Sequence, residues 1–494
     1  MDYTSGFIYT LLLLILLYFI RSLNWWTSGP SSRAFPPGPR GLPVIGNLHM
    51  FNIQMPTETL MQLAKQFGPI FSVRMGSVKM VVLSGYDTVK SALVDHGDDF
   101  AERPHIPMFE DINQGYGVPF SHGDNWRAMR RFTLTKLRDL GMGKRTIEDR
   151  IVEECGFLTR LIESLEGKPT DLTEKTNFAI GNIVISIIFG QRFDYQYPAL
   201  HRLMGLMHEN MRLLGSPSVA RYNFFPVLRY LSSGRRKVMK NIEDLQNFFK
   251  TEFVDHLKQL DRDDQRGFID AFLVKQQEES NDPNTYFHEP NLMSTVTTLF
   301  MAGTDTTSST IRWAISYMIQ NPEIQRRVHE EIDTVIGLAQ PQIDHRKNMP
   351  YTNAVIHETQ RNANVLPMSL PRETTKDVYF MGYHLPKGTY IIPLLESVHY
   401  DDTQFQHPES FSPENFLDSN GAFVKKAAFM PFSAGRRVCA GETLAKMELF
   451  LFFTSLMQKF TFHAAPGVTD FKATPVPGLT ISPATPKICC IRRF

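Results

Sequence analysis

The residue before a proline is crowded out of the α region, so Asn321-Pro322 separates a long apolar stretch near 290–320 from an amphipathic one near 322–336. Helical periodicity also runs near 58–67, 145–165, 174–189, 236–260, 350–362 and 440–458. Strand signals are few. One alternating run spans Ile70 to Leu83, with a turn expected at Gly76-Ser77. A second spans Val378 to Ile392, with a turn expected around Pro386-Lys387-Gly388. The pattern predicts a mainly α chain carrying small sheets.

The charge balance narrows the function classes. The 52 Lys and Arg offset 51 Asp and Glu, and this near-neutral balance argues against nucleic acid as a partner, since phosphate contacts usually demand clustered Lys and Arg. With 42% apolar residues the chain can supply a large core and is not disordered. Four cysteines, two of them adjacent at Cys489 and Cys490, cannot form a disulfide framework. No Asn-x-Ser/Thr acceptor with a permitted middle residue occurs, which fits a body facing the cytosol.

Gly6 to Ile20, GFIYTLLLLILLYFI, carries no charge. Fifteen helical residues span only about 22 Å, short of the roughly 30 Å hydrocarbon core. Counting on through Leu23, Trp25 and Trp26 closes that gap, with Arg21 snorkelling and the tryptophans at the interface. Arg21, Arg33 and Arg40 follow the run and only Asp2 precedes it, which orients the body to the cytosol. Residues 1–26 therefore read as a transmembrane signal anchor. Residues 27–49, with Pro36-Pro37-Gly38-Pro39, read as a stiff, non-helical hinge. Residues 50–494 show no further linker or repeat and read as one domain.

Several catalytic templates fail. His329 and His357 are each followed by Glu but lack the second His of a zinc helix, and Gly141-Met142-Gly143-Lys144-Arg145 lacks the Ser/Thr of a phosphate loop. Ser433 has Pro431 where a nucleophile elbow needs glycine. The informative segment is Phe432-Ser433-Ala434-Gly435-Arg436-Arg437-Val438-Cys439-Ala440-Gly441. A cysteine beside two arginines, just before an apolar helix, is placed to be a thiolate, because helix-start amides and guanidinium groups stabilise negative sulfur. A packed core cysteine at a loop-to-helix junction is the bland alternative.

The same string matches F-x-x-G-x-R-x-C-x-G, and through it the chain resembles the cytochromes P450, whose haem iron is held by a cysteine thiolate. Further matches follow in the family's order. Glu358-Thr359-Gln360-Arg361 resembles its E-x-x-R helix, a structural pair on one helix face. The accompanying loop reads Pro413-Glu414-Asn415-Phe416, with Asn415 where the family usually has Arg. Ala302-Gly303-Thr304-Asp305-Thr306-Thr307 resembles the oxygen-activating helix. Ala302 and Thr306 share a face, and Asp305 is displaced by about 100°. Thr306 could simply bond its own i−4 carbonyl, whereas the resemblance makes Asp305 and Thr306 a proton-guiding pair. Trp126 and Arg130, one turn apart, resemble the W-x-x-x-R helix that reaches the haem propionates. Arg103, Arg372 and Arg437 stand at matching positions of the cationic set. Arg127 and Arg131 are expected to be solvated or to face an electron donor.

The resemblance covers the whole chain and is strongest to vertebrate microsomal members of family two, supported by Pro36-Pro37-Gly38-Pro39, Gly141 to Arg145 and Phe416-Leu417-Asp418. It implies a large helical haem domain with small β-sheets behind a membrane anchor helix, at the endoplasmic reticulum with the catalytic domain in the cytosol. The implied cofactor is haem b, ligated by Cys439. Electrons would come from NADPH through NADPH–cytochrome P450 reductase, with cytochrome b5 as a possible second donor. The implied reaction inserts one atom of dioxygen into a lipophilic fatty acid, steroid or foreign compound. Phe120, Met301, Ala302, Leu366, Met368 and Leu479 would line its cavity. A haem-thiolate isomerase or peroxygenase, and a non-enzymatic membrane-anchored haem or lipid binder, stay open as alternatives.

Overall fold

The computed structural model describes Gly6, Thr10, Leu13 and Leu14, then residues 35–52 and 55–494. The expected anchor, residues 1–26, and the start of the hinge lie outside the described residues apart from those four, which are helical and exposed. Among the described residues no helix is long and apolar enough to cross a membrane. The chain divides into two compact units. One holds the described residues up to Pro104, with Phe224–Pro226 and Met368–Ser397, and the other holds the rest.

The smaller unit is built on a sheet. Helix α1 (Pro56–Phe67) starts on a proline whose missing N–H costs nothing there, and it buries Leu60 and Leu63. Strands β1 (Ile70–Met75) and β2 (Val78–Leu83) pair antiparallel from Ile70↔Leu83 to Met75↔Val78, and Gly76, at φ 60°, turns the chain as expected. A short helix α2 (Tyr86–Lys90) follows. The second expected hairpin is only half right. Strands β4 (Val378–Phe380) and β5 (Tyr383–Leu385) pair across Met381-Gly382, both at positive φ (46° and 86°), which suits a tight hairpin. Pro386-Lys387-Gly388 instead leads to β6 (Tyr390–Pro393), which joins the first sheet parallel to β2. Strand β3 (Arg372–Glu373) closes that sheet in the order β1-β2-β6-β3. Pro36-Pro37-Gly38-Pro39 is non-helical and lies along β1. The Ser72 amide donates to Pro37 O at 2.7 Å, and a side chain at Gly38 would sit 1.9 Å from Ser72 O.

The larger unit is helical. Its elements are α3 (Pro107–Asn113), α4 (Gly123–Asp139), α5 (Arg145–Glu163), α6 (Thr173–Phe189), α7 (Pro198–Leu214), α8 (Ser233–Lys258), α9 (Phe268–Glu278), α10 (Glu289–Gln320), α11 (Pro322–Val335), α12 (Pro350–Ala363) and α13 (Glu442–Lys459). The proline boundary is where the sequence places it: α10 ends at Gln320 and α11 begins at Pro322. In α5 the spacing Ile147, Ile151, Cys155, Leu158, Ile162 puts one apolar stripe into the core. Helix α10 is the axis, packed against α6, α8, α12 and α13. Its C-terminal half joins a core with α5, α12 and α13, and its N-terminal half joins a second core with α6, α7 and α9. Strands β7 (Phe460–Ala464) and β10 (Ile488–Arg492) form one C-terminal pair, and β8 (Thr474–Val476) with β9 (Ser482–Ala484) forms another.

Candidate functional site

Cys439 sits at the end of a tight loop. Ser433 and Gly435 take positive φ (61° and 73°), and the Cys439 amide returns to Phe432 O at 3.1 Å before Gly441 starts α13. The residue is exposed, although protein crowds its sulfur. That crowding pushes the thiol upward, opposed by the amides of Gly441 and Glu442 and by the Arg130 charge. Arg436 is exposed and Arg437 is committed elsewhere, so the cation that acts on the sulfur is Arg130.

Helix α4 brings Trp126 and Arg130 to this loop. Arg130 donates to Val438 O at 2.6 Å, the carbonyl next to Cys439. The buried Arg437 guanidinium lies 3.8 Å above the Trp126 ring and donates to Ser121 O at 2.9 Å. Trp126 Nε1 is buried and meets no acceptor among the described residues. A buried indole N–H ordinarily finds a partner, so this donor is built for an acceptor from outside the chain. Arg127 and Arg131 are exposed, the former paired with Asp124 at 2.6 Å. Arg103 and Arg372 belong to the smaller unit, where both are buried. Arg103 donates to Leu370 O at 2.8 Å and to Pro371 O.

In the middle of α10 one strip stays open. Ala302 is exposed and Thr306 half-buried, while Met301, Thr304, Asp305 and Thr307 are buried. The Thr306 hydroxyl donates to Ala302 O at 2.8 Å. The Asp305 carboxyl turns the other way and accepts from the Thr480 hydroxyl. Burial pushes Asp305 upward, with Thr480, Arg312 and His208 offsetting part of the effect. Adjacent in sequence, Asp305 and Thr306 thus serve different partners. Of the expected cavity residues in this unit, Phe120 and Met301 are buried and Leu366 and Leu479 half-buried. Met368 packs against the sheet core of the smaller unit.

Thr480 and Glu448 escaped the sequence reading. Thr480 lies 175 positions from its partner, and no local pattern announces such a contact. Glu448 stands in the apolar run of α13, receives Thr307 Oγ1 at 3.2 Å and is pushed up to about 8 by burial. A charge inside an apolar helix was the available signal.

The Glu358–Arg361 pair is fully buried and bidentate, with bonds of 2.7 and 2.8 Å. Arg361 also donates to the carbonyls of His399, Pro408 and Ser410, and Glu358 accepts the Ser412 amide at 2.8 Å. His399 in turn receives the Met430 amide at 3.3 Å, which ties the pair to the segment leading into Cys439. Asn415 stands beside Glu358, and its Oδ1 accepts from the Gln406 amide at 2.8 Å. A network of backbone groups and one amide thus occupies the place of the third, basic partner.

The family model of cytochrome P450 matches residues 36–490. Cytochrome P450 2K4 of Oncorhynchus mykiss is 47% identical over 486 residues, covering 97% of this chain and 96% of the relative. Cytochrome P450 2K6 of Danio rerio is 47% identical, covering 92% and 90%. Cytochrome P450 2F3 of Capra hircus is 42% identical, covering 98% and 99%.

Proposed function

Because the chain belongs to the cytochrome P450 family and is a haem-thiolate monooxygenase, we propose that Cys439 is the ligand to its haem b. The observation that carries this reading is the gathering of Arg130 and the partnerless Trp126 Nε1 beside an exposed cysteine. Both groups suit a propionate, and Arg437 holds the Trp126 ring in place from above. Arg103 and Arg372 are assigned to the same cationic set on their positions in the sequence. When bound, the haem activates dioxygen: one oxygen atom enters the substrate and the other leaves as water, using two electrons from NADPH and two protons.

The chain's own residues supply proton handling and a dry, apolar surface. Thr306 presents its hydroxyl on the open strip of α10. Asp305, its neighbour in sequence, is assigned as the acid of the pair; burial pushes its carboxyl upward, and that carboxyl accepts from the Thr480 hydroxyl. Phe120, Met301, Ala302, Leu366 and Leu479 form the apolar lining, which suits fatty acids, steroids or lipophilic foreign compounds, and Met368 is assigned to it on its position in the sequence alone. The electron donor is NADPH–cytochrome P450 reductase, with cytochrome b5 as an optional second donor, and the exposed Arg127 and Arg131 are either solvated or part of its docking face. Residues 1–26 anchor the enzyme in the endoplasmic reticulum with the catalytic body in the cytosol. The exposed Val227, Tyr230 and Leu231 support a second membrane contact.

The test is a reconstituted assay of purified protein with reductase, offered laurate, steroids and model drugs. Oxygenated product that requires both NADPH and dioxygen is expected. Product formed equally well without NADPH, from peroxides alone, would contradict the monooxygenase assignment.

A further inference from the structure

His105, Glu110 and His122 converge outside the site described above. His105 lies two residues before α3, just ahead of its cap Ile106, Glu110 lies in its first turn, and His122 is the residue before α4. Their ligand atoms all lie within 4.8 Å of one another. His105 Nδ1 is 2.9 Å and His122 Nε2 3.5 Å from the same carboxylate oxygen, Glu110 Oε1. No Lys or Arg pairs with Glu110 among the described residues. The neighbouring Asp111 is committed to Tyr222, Arg229 and Arg235.

We propose that these three side chains form a zinc site with a fourth position open to water. Two imidazoles and one carboxylate are a donor set that Zn²⁺ accepts readily. Bonds of about 2.0–2.1 Å at tetrahedral angles place neighbouring ligand atoms about 3.3 Å apart, and the two observed separations bracket that value. The imidazoles lie stacked, centroids 4.4 Å apart and 23° from parallel. Two imidazolium ions would repel in that arrangement, whereas neutral rings sharing one divalent ion do not. His105 is exposed, so a turn of its ring completes the set without disturbing the core.

The site has a mechanical consequence. It clips together the two ends of the segment 105–122, which carries Phe120 stacked on Phe109 at 3.8 Å. The Ser121 carbonyl in that segment is held by Arg437. Zinc would therefore stiffen a segment that the haem-side residues already grip at one end.

The experiment is equilibrium dialysis of the full-length holoenzyme, without a polyhistidine tag, against Zn²⁺, with metal and haem counted on the same samples. Wild type is expected to hold about one zinc more than His105→Asn or Glu110→Gln. An outer-shell partner alone is worth 10–100-fold in affinity, so losing a direct ligand should weaken binding by at least about tenfold. Hydrogen exchange supplies the second readout: amides 105–123 should slow on adding Zn²⁺ in wild type and not in His105→Asn. Equal zinc in all three proteins at equal haem content, or no slowing in wild type, would overturn the site. Because haem is measured separately, such a failure leaves the haem-thiolate reading intact.

Discussion

Thr306→Ala removes one hydroxyl from the open strip of α10 and leaves the best helix former in its place, so the helix itself should be unaffected. If the hydroxyl guides protons, NADPH is still consumed but more electrons leave as hydrogen peroxide and less product forms per NADPH. Measuring all three in one reaction checks it, and an unchanged product-to-NADPH ratio with several substrates would leave Thr306 only its bond to Ala302. Glu448 offers a prediction in pH. Its carboxyl titrates near 8 in the folded protein, above the ordinary carboxylate value, so the folded state holds the extra proton between the two. Stability from this group is present in acid and is lost as pH rises toward 8, by an amount on the order of a few kcal/mol. Thermal melts should therefore show Glu448→Gln gaining on wild type from about pH 5 to about pH 8. A constant difference across that range would count against a protonated Glu448. At this scale the residues that share a helix turn or a short motif, such as Trp126 with Arg130 and Glu358 with Arg361, were legible in the sequence. Thr480 was not, since only the fold brings it to Asp305.

Helix α12 shows how an element becomes structural rather than catalytic. Its Arg361 spends its guanidinium on Glu358 and three backbone carbonyls, all out of water. Removing one partner of a buried pair strands the other, so Arg361→Ala should cost about 3–5 kcal/mol and lower haem retention through the His399–Met430 link. Asn415→Ala should cost less, about 1–3 kcal/mol, because it orphans chiefly the Gln406 amide. Denaturant titration of both variants checks the order, and a larger loss from Asn415→Ala would contradict it. Helices with a clear stripe or a proline boundary, α5, α10 and α11 among them, follow from the sequence. Helix α9 does not, because every residue from Phe268 to Val274 is buried, the ion-paired Asp270 included, and a helix buried all round shows no apolar period. The Val378–Ile392 run misled for a different reason. Two adjacent hairpin-like turns compete there, and partner choice rather than local alternation sends β6 to β2.

For the whole molecule, deletion of residues 1–26 removes the long apolar run, and the body should keep its haem and only part of its membrane affinity. Val227, Tyr230 and Leu231, each mostly exposed, would hold what remains. Vesicle flotation of the truncated protein, with its haem content, measures both, and haem loss would mean that the run belongs to the core. The proposal at this scale is that Cys439 would hold the haem. The most direct measurement is the absorption spectrum of the reduced protein with carbon monoxide, in wild type, Cys439→Ser and Cys155→Ser. Cys155 is buried within α5, so its substitution should leave the spectrum alone. Thiolate ligation by Cys439 predicts the red-shifted Soret band of a haem thiolate in wild type and Cys155→Ser, and its loss in Cys439→Ser. Persistence of that band in Cys439→Ser would contradict it.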